Sequence, residues 1–353
     1  MLSCVATMAF LFVLIALGLA IVHEGCADLT LEDLNSRDLP CPNAADILPC
    51  VCDVDQAYQM AMHCTYLEDG ELARVFSADF PFKDFREIDI THSLGLTTLQ
   101  EGDFGEVSFE EIFTDSTGLT EVQERAFSHS YSTLTTIKLD NNRISTFPFG
   151  EIPSFLSLRE LYLYGNDLRQ FPVLKSDSLV TVSLSFNPIG EIPINGFKDI
   201  PNIEDFYFQG NNLQHIYTGT FSGLSNLRRI DLLRNNLGHV QEGALEISSA
   251  SFRELVLTSC NISSIERHAI TGLKGGSLWL DDNALTSLQE DAFRPLFNEV
   301  NLIYLAGNPL SCSCDIAWLV QRPSLMARVA DDAACNNGQL LADLDPAMFD
   351  ALC

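Results

Sequence analysis

The sequence predicts a curved α/β solenoid, a horseshoe of about ten stacked units of roughly 24 residues with a cysteine-rich cap at either end. Three observations lead there. The stretch Leu158-Arg-Glu-Leu161-Tyr-Leu163-Tyr-Gly-Asn166-Asp-Leu168 follows the pattern L-x-x-L-x-L-x-x-N-x-L. The pattern recurs, with Ser93, Thr117, Asn142, Asn166, Asn187, Asn211, Asn235, Cys260, Asn283 and Asn308 at the Asn166 position and steps of 21 to 25 residues between them. Eight cysteines flank this array in two groups of four: Cys41, Cys50, Cys52 and Cys64 before it, and Cys312, Cys314, Cys335 and Cys353 after it.

Each part of the unit has a physical role, and together the parts define a leucine-rich repeat. Leu161 and Leu163 lie two apart, so on a short strand they point to one face, the core. The pair recurs as Ile88/Ile90, Ile112/Thr114, Ile137/Leu139, Val182/Leu184, Phe206/Phe208, Ile230/Leu232, Leu255/Leu257, Leu278/Leu280 and Ile303/Leu305, with Thr114 the one polar member. The Asn side chain stands where the chain leaves the strand, and its amide can bond backbone groups that the turn strips of partners. One unit is too short to bury its own apolar face, so its neighbours supply the other wall. Phe127, Phe197, Phe221 and Phe293 each follow their turn residue by ten positions and are expected in the core on the convex side.

The chain divides in order. Val5 to Val22 is an apolar run broken only by Thr7 and Gly18, and Gly25-Cys26-Ala27 offers small residues for cleavage. Residues 1–27 therefore read as a secretory signal peptide cut after Ala27, although no Lys or Arg precedes Arg37. The rival is an uncleaved anchor, because 18 residues are just enough to span a bilayer. The terminal position and the small-x-small site favour cleavage, which leaves no membrane anchor. Residues 28–40 are polar and acidic, a flexible lead-in. Residues 41–86 form the N-terminal cap, 87–310 the repeats and 311–353 the C-terminal cap. Caps are needed because a stack of strands ends in an open edge and bare apolar side chains. Trp318 is expected to seal the last repeat, and Asp345-Pro346 to start a short helix running to about Leu352.

Composition sets the compartment and the partners. A formal net charge of −28 repels phosphates and anionic lipid, which argues against nucleic acid and suits a basic partner or plain solubility. A leader followed by two even cysteine groups implies disulfides formed in the secretory pathway, and hence a secreted, extracellular protein. Spacing alone leaves three pairings open in each group, and Cys-x-Cys here lacks a usual zinc spacing. Cys260 is expected as a small buried rung of the turn ladder, unreactive for lack of access. Asn261-Ile262-Ser263 is a single N-x-S/T sequon in an exposed turn, so Asn261 is expected to carry a glycan.

No catalytic constellation is present: no H-E-x-x-H, no G-x-S-x-G, no phosphate-binding glycine loop and no dinucleotide fingerprint. Asp281-Asp282-Asn283 lacks the spacing of a calcium loop. The expectation is no enzyme, no cofactor and no metal. What remains is a surface. The residue between each core pair points to the concave face, giving Asp89, Phe113, Lys138, Tyr162, Ser183, Tyr207, Asp231, Val256, Trp279 and Tyr304, with Asp115, Asp140, Asp281 and Asp282 beside them. Half of that row is aromatic. Rigidly held aromatic rings are what protein interfaces use as anchors. We therefore take Asp89, Phe113, Tyr162, Tyr207, Asp231, Trp279, Asp281 and Tyr304 as candidate partner contacts.

Beyond the repeat, six segments resemble a specific arthropod, chiefly crustacean, family: Asp46-Ile-Leu-Pro-Cys-Val-Cys52, Phe80-Pro-Phe82, Phe109-Glu-Glu-Ile112, Asn308-Pro-Leu-Ser-Cys312, Cys314-Asp-Ile-Ala-Trp-Leu319 and Asp343-Leu-Asp-Pro-Ala-Met-Phe349. Its members are described as similar to the non-catalytic subunit of oplophorus-luciferin 2-monooxygenase. The resemblance implies an accessory chain that binds a protein partner, such as a small secreted oxidase chain, and brings no catalytic residues with it. The two cysteine groups also resemble the caps of extracellular leucine-rich-repeat proteins. That resemblance implies the pairs Cys41–Cys52, Cys50–Cys64, Cys312–Cys335 and Cys314–Cys353. The alternative functions are a circulating innate-immune or extracellular recognition protein and, third, a stand-alone oxygenase.

Overall fold

The computed structural model describes residues 40–353, and the expected signal peptide and all but the last residue of the lead-in lie outside the described residues. The repeat strands line up as one twelve-stranded sheet whose spatial order follows the chain. They are β1 (Val51–Val54), β2 (Met60–Thr65), β3 (Asp84–Thr91), β4 (Ser108–Asp115), β5 (Thr136–Asp140), β6 (Glu160–Tyr162), β7 (Thr181–Ser183), β8 (Asp205–Tyr207), β9 (Arg229–Asp231), β10 (Glu254–Val256), β11 (Ser277–Trp279) and β12 (Leu302–Tyr304). β1 and β2 form an antiparallel hairpin, and every later neighbour pairs parallel. A parallel neighbour requires the chain to cross back to its starting edge. The return limbs do this.

Those limbs carry little helix. They contain short 3₁₀ turns at Ser128–Ser130 and Phe149–Ser154 and two-residue ladders such as His239–Val240 with Ser264–Ile265. The longest helix among the described residues is Glu290–Glu299, in the last return limb. A unit of this length spends most of its residues on the strand and two turns, which leaves room for a helical turn rather than a helix in most limbs.

Register decides the core. Met62, Ile88, Ile112, Ile137, Leu161, Val182, Phe206, Ile230, Leu255, Leu278 and Ile303 are direct partners across the sheet, and all are fully buried. Phe127, Phe197, Phe221 and Phe293 meet them from the return side, each 1–3% exposed. Phe197 stands edge-on to Phe206 at 4.8 Å between ring centroids. In the 21-residue step the limb is short of residues. There Ser176 sits at the phenylalanine position and its hydroxyl caps the N–H groups of Ser178 and Leu179 at 3.1 Å each.

The turn residues form a second ladder. The Asn235 carboxamide oxygen accepts the N–H groups of Asn211 (3.1 Å) and Leu213 (2.9 Å) in the preceding repeat. Its amide group donates to the carbonyls of Phe208 and Leu232, both at 2.8 Å. Asn166, Asn187, Asn211, Asn283 and Asn308 likewise reach back one repeat. Cys260 keeps half of the device: its thiol donates to the Leu232 carbonyl at 3.0 Å. The residue just before each rung, from His92 through Arg234 to Gly307, has φ between 52° and 71°. That left-handed pivot turns the chain out of the strand.

Sulfur bridges close both ends, as Cys41–Cys52 and Cys50–Cys64 at one and Cys312–Cys335 and Cys314–Cys353 at the other. Trp318 is buried edge-on to Phe297 and donates its indole N–H to the Leu288 carbonyl at 2.9 Å. The carboxylate of Asp345 accepts the Ala347 N–H at 2.9 Å and caps the helix Pro346–Leu352. The N-terminal cap contributes more than a lid. Its strand β2 joins the parallel sheet and adds His63 to the exposed side next to Asp89. Nothing in the repeat pattern announced this, because β2 carries no turn residue of the Asn type.

Candidate concave binding face

The side chains opposite the core pairs form one continuous row. His63, Asp89, Phe113, Lys138, Tyr162, Ser183, Tyr207, Asp231, Val256, Trp279 and Tyr304 are direct register partners in that order. Adjacent strands lie ~4.8 Å apart, so these eleven carry the row over roughly 48 Å. A second row runs alongside two residues earlier on each strand: Glu87, Glu111, Thr136, Glu160, Thr181, Asp205, Arg229 and Glu254. Strand alternation puts both rows on the same face.

The row is not uniform. Phe113, Tyr162, Tyr207, Trp279 and Tyr304 are half-buried. Trp279 and Tyr304 stack at 3.6 Å with ring planes 6° apart. The Tyr162 hydroxyl donates to Glu160 at 3.0 Å, and burial first, then Glu160, pushes the phenol up from its ordinary range. Ser183 and Val256 are buried and leave shallow gaps in the row.

Two acidic candidates turn out to be occupied. Asp231 is 2% exposed. Arg229 holds its carboxylate at 2.7 Å, and its other oxygen accepts the Leu233 N–H at 3.1 Å. Its carboxylate is thus engaged within the chain on both oxygens. The same arginine pairs with Glu254 and lies over the Tyr207 ring, 5.5 Å from the centroid. Asp281 accepts the Ala306 N–H of the next repeat at 2.9 Å, and burial raises its carboxyl above the usual range. Asp140 does the same for the Tyr164 N–H at 2.9 Å and is also raised by burial. Both acids brace consecutive repeats.

Toward the N-terminal end the face opens into a cleft of about 380 Å³ lined by His63, Glu87, Asp89, Phe113, Asp115, Lys138 and Asp140 among others. Asp115 is held below the usual carboxylate range by the Asn141 amide at 2.7 Å. Glu111, next to this cleft, is raised by burial and then by Glu87. Among the described residues no group of three or more His, Cys, Asp or Glu is placed to hold a metal ion, and no helix is long and apolar enough to cross a membrane.

Asn261 is exposed in the turn after β10 and donates its amide to Asn236 at 3.1 Å. Cys260 beside it is fully buried, and burial pushes its thiol up to about 12. A thiol so held carries almost no thiolate at neutral pH.

Comparison with known proteins places this geometry. Family models described as "BspA type Leucine rich repeat region (6 copies)" and "Leucine rich repeat" match residues 77–164 and 177–237. The chain is 36% identical over 330 residues, 92% of each sequence, to the Oplophorus-luciferin 2-monooxygenase non-catalytic subunit of Oplophorus gracilirostris. The chain belongs to that subunit's family. It is a leucine-rich-repeat protein, and that relative is named as a non-catalytic subunit. At greater distance it is 23% identical to the CD180 antigen of Mus musculus, over 92% of this chain and 58% of that one. Among solved structures it shares the fold of a chain in the octameric complex of Latrophilin 3, Unc5D and FLRT2. That match has a TM-score of 0.66 at 20% identity and covers 83% of this chain and 97% of the other.

Proposed function

We propose that this chain is a secreted, glycosylated accessory protein that holds a partner protein against its concave face. The carrying observation is the row of half-buried aromatic side chains from Phe113 to Tyr304 on a sheet fixed by two ladders and two capped ends. Rings fixed in place lose little freedom on binding and bury much apolar area. Membership in a family typified by a non-catalytic subunit supports a role beside a second chain, such as a small secreted oxidase. Paired cysteines at both ends support export. The open position of Asn261 supports a glycan there.

The test is affinity capture from the animal's own extracellular fluid with the intact chain as bait, followed by mass spectrometry. Tyr207→Ala with Trp279→Ala leaves folding intact and reduces capture of the partner at least tenfold. Undiminished capture by that variant would refute the reading. The first residue of the exported chain is expected to be Asp28, and glycosidase treatment is expected to lower its mass. A second reading, a circulating recognition protein, draws support from the likeness to the CD180 antigen. Recovery of a microbial or host surface ligand in place of a soluble partner chain distinguishes it.

A further inference from the structure

The concave face already contains one worked example of how it holds a cation. The Arg229 guanidinium lies over the Tyr207 ring, between the carboxylates of Asp231 and Glu254. Tyr207 and Asp231 are direct register partners in the exposed row, and Arg229 stands two residues before Asp231 on the same strand. Guanidinium over an aromatic face, flanked by carboxylates, is a favourable arrangement because the ring quadrupole and both anions attract the same charge.

At Phe113 a ring again lies beside carboxylates, but in the opposite strand order: Asp89 stands on the strand before the ring rather than after it, and Lys138 is the register partner on the strand after. Phe113 and Asp89 are direct register partners, as Tyr207 and Asp231 are. The position two residues before Asp89 is Glu87 where the other site has Arg229, and Glu87 pairs directly with Glu111 across the strands. Here the chain supplies a carboxylate where its own template supplies a guanidinium. The local cations do not make up the difference. Arg86 pairs with Glu87 at 2.8 Å, and Lys138 lies 3.8 Å from Asp140. Asp89 has the His63 ring at 3.8 Å, and neither Glu111 nor Asp115 is within salt-bridge distance of a lysine or arginine among the described residues. An open cleft of about 380 Å³, lined by Glu87, Asp89, Phe113, Asp115 and Lys138 among others, lies here with Glu111 at its side, and it is large enough for an arginine side chain.

We infer that the concave face takes a basic polypeptide segment, with an arginine seated on Phe113 beside Asp89 and Glu111 by the same cation-on-ring attraction that holds Arg229 over Tyr207. This rests on the concave face being the partner-binding surface and adds the chemistry of what is bound. The segment comes from a second protein, since charge complementarity with this acidic face requires a cationic stretch. Its approach is steered by the surplus negative charge and weakens as salt screens it.

The probe is a fluorescently labelled hexa-arginine peptide titrated against the intact exported chain, with hexa-glutamate as the matched negative. Hexa-arginine binds and hexa-glutamate does not, and raising salt from about 0.05 to 0.5 M lowers the affinity at least tenfold. Asp89→Ala with Glu111→Gln, which removes both charges without creating a glycosylation sequon, lowers affinity for hexa-arginine at least tenfold. Asp177→Asn with Asp199→Asn, equal in charge but on the return limbs, changes it less than twofold. Equal loss in both pairs reduces the effect to net charge and overturns the inference, as does absence of hexa-arginine binding. A natural partner that is lost on Tyr207→Ala with Trp279→Ala but ignores both Asp89→Ala with Glu111→Gln and added salt overturns this inference alone and leaves the binding face standing.

Discussion

Asn235→Ala tests the turn ladder at a rung that serves two backbone donors and two carbonyls. The side chain is 6% exposed and makes four bonds to backbone groups. Removing it leaves the N–H groups of Asn211 and Leu213 buried without an acceptor, and takes one donor from each of the Phe208 and Leu232 carbonyls. Each stranded donor costs about 1–3 kcal/mol, so the pair alone sets a loss of roughly 2–6 kcal/mol. The carbonyls add less, because an oxygen with two lone pairs tolerates partial loss. The expected value is about 4 kcal/mol after partial relaxation around the site. The neighbouring rung gives the internal control. Cys260→Ala removes one weak donor and a small buried group, and should cost on the order of 1 kcal/mol. Repeat arrays open unit by unit, so urea unfolding is paired with native-state hydrogen exchange at Asn211 and Leu213. A loss below about 1 kcal/mol for Asn235→Ala, or unchanged exchange at those two amides, refutes the ladder argument.

Three further outcomes follow from the same structure. Cys260 should resist iodoacetamide in the folded protein near pH 8 and react in denaturant, as read by peptide mapping; rapid alkylation of the folded chain contradicts its burial. Trp318→Ala should cost about 3–5 kcal/mol, with exchange protection lost first in the return limb around Leu288 and Phe297; uniform loss along the array contradicts a local seal. Glu111→Gln should stabilise the fold at neutral pH. The Glu111 carboxyl is raised above its ordinary range, so the folded state binds its proton before the unfolded chain does. Stability then falls as pH rises through the window between the ordinary glutamate range and the raised value, and stays lower above it. Removing the charge recovers that loss at neutral pH and brings nothing below the window; a gain that persists in acid refutes the assignment.

The repeats were readable because each unit repeats its physical demands: two apolar positions two apart, then a side chain able to bond a bare turn. Ile112, Ile137 and Leu161 carry the same instruction at the same interval, and register follows. Asp231 shows where pattern reading stops. Its position in the row was correct, but its burial depends on Arg229 two residues earlier and on Glu254 in the next repeat, and both lie outside the motif. Asp140 and Asp281 have the same lesson, since their bonds to Tyr164 and Ala306 cross between units. His63 escaped notice because β2 belongs to the cap by its cysteines and to the sheet by its geometry. The cysteine groups marked the ends, yet spacing alone left three pairings open at each.

The left-handed pivot before every rung has a consequence for engineering. Gly165, Gly210 and Gly307 adopt it freely, whereas Arg234 and Ser259 hold it with a side chain attached. An L-residue loses about 1–2 kcal/mol in that conformation, part of which glycine would give back through its greater freedom when unfolded. Arg234, being solvent-exposed, is the natural place to begin converting pivots to glycine. The horseshoe therefore carries untapped thermal headroom along its rim, available without altering one ring of the surface it presents.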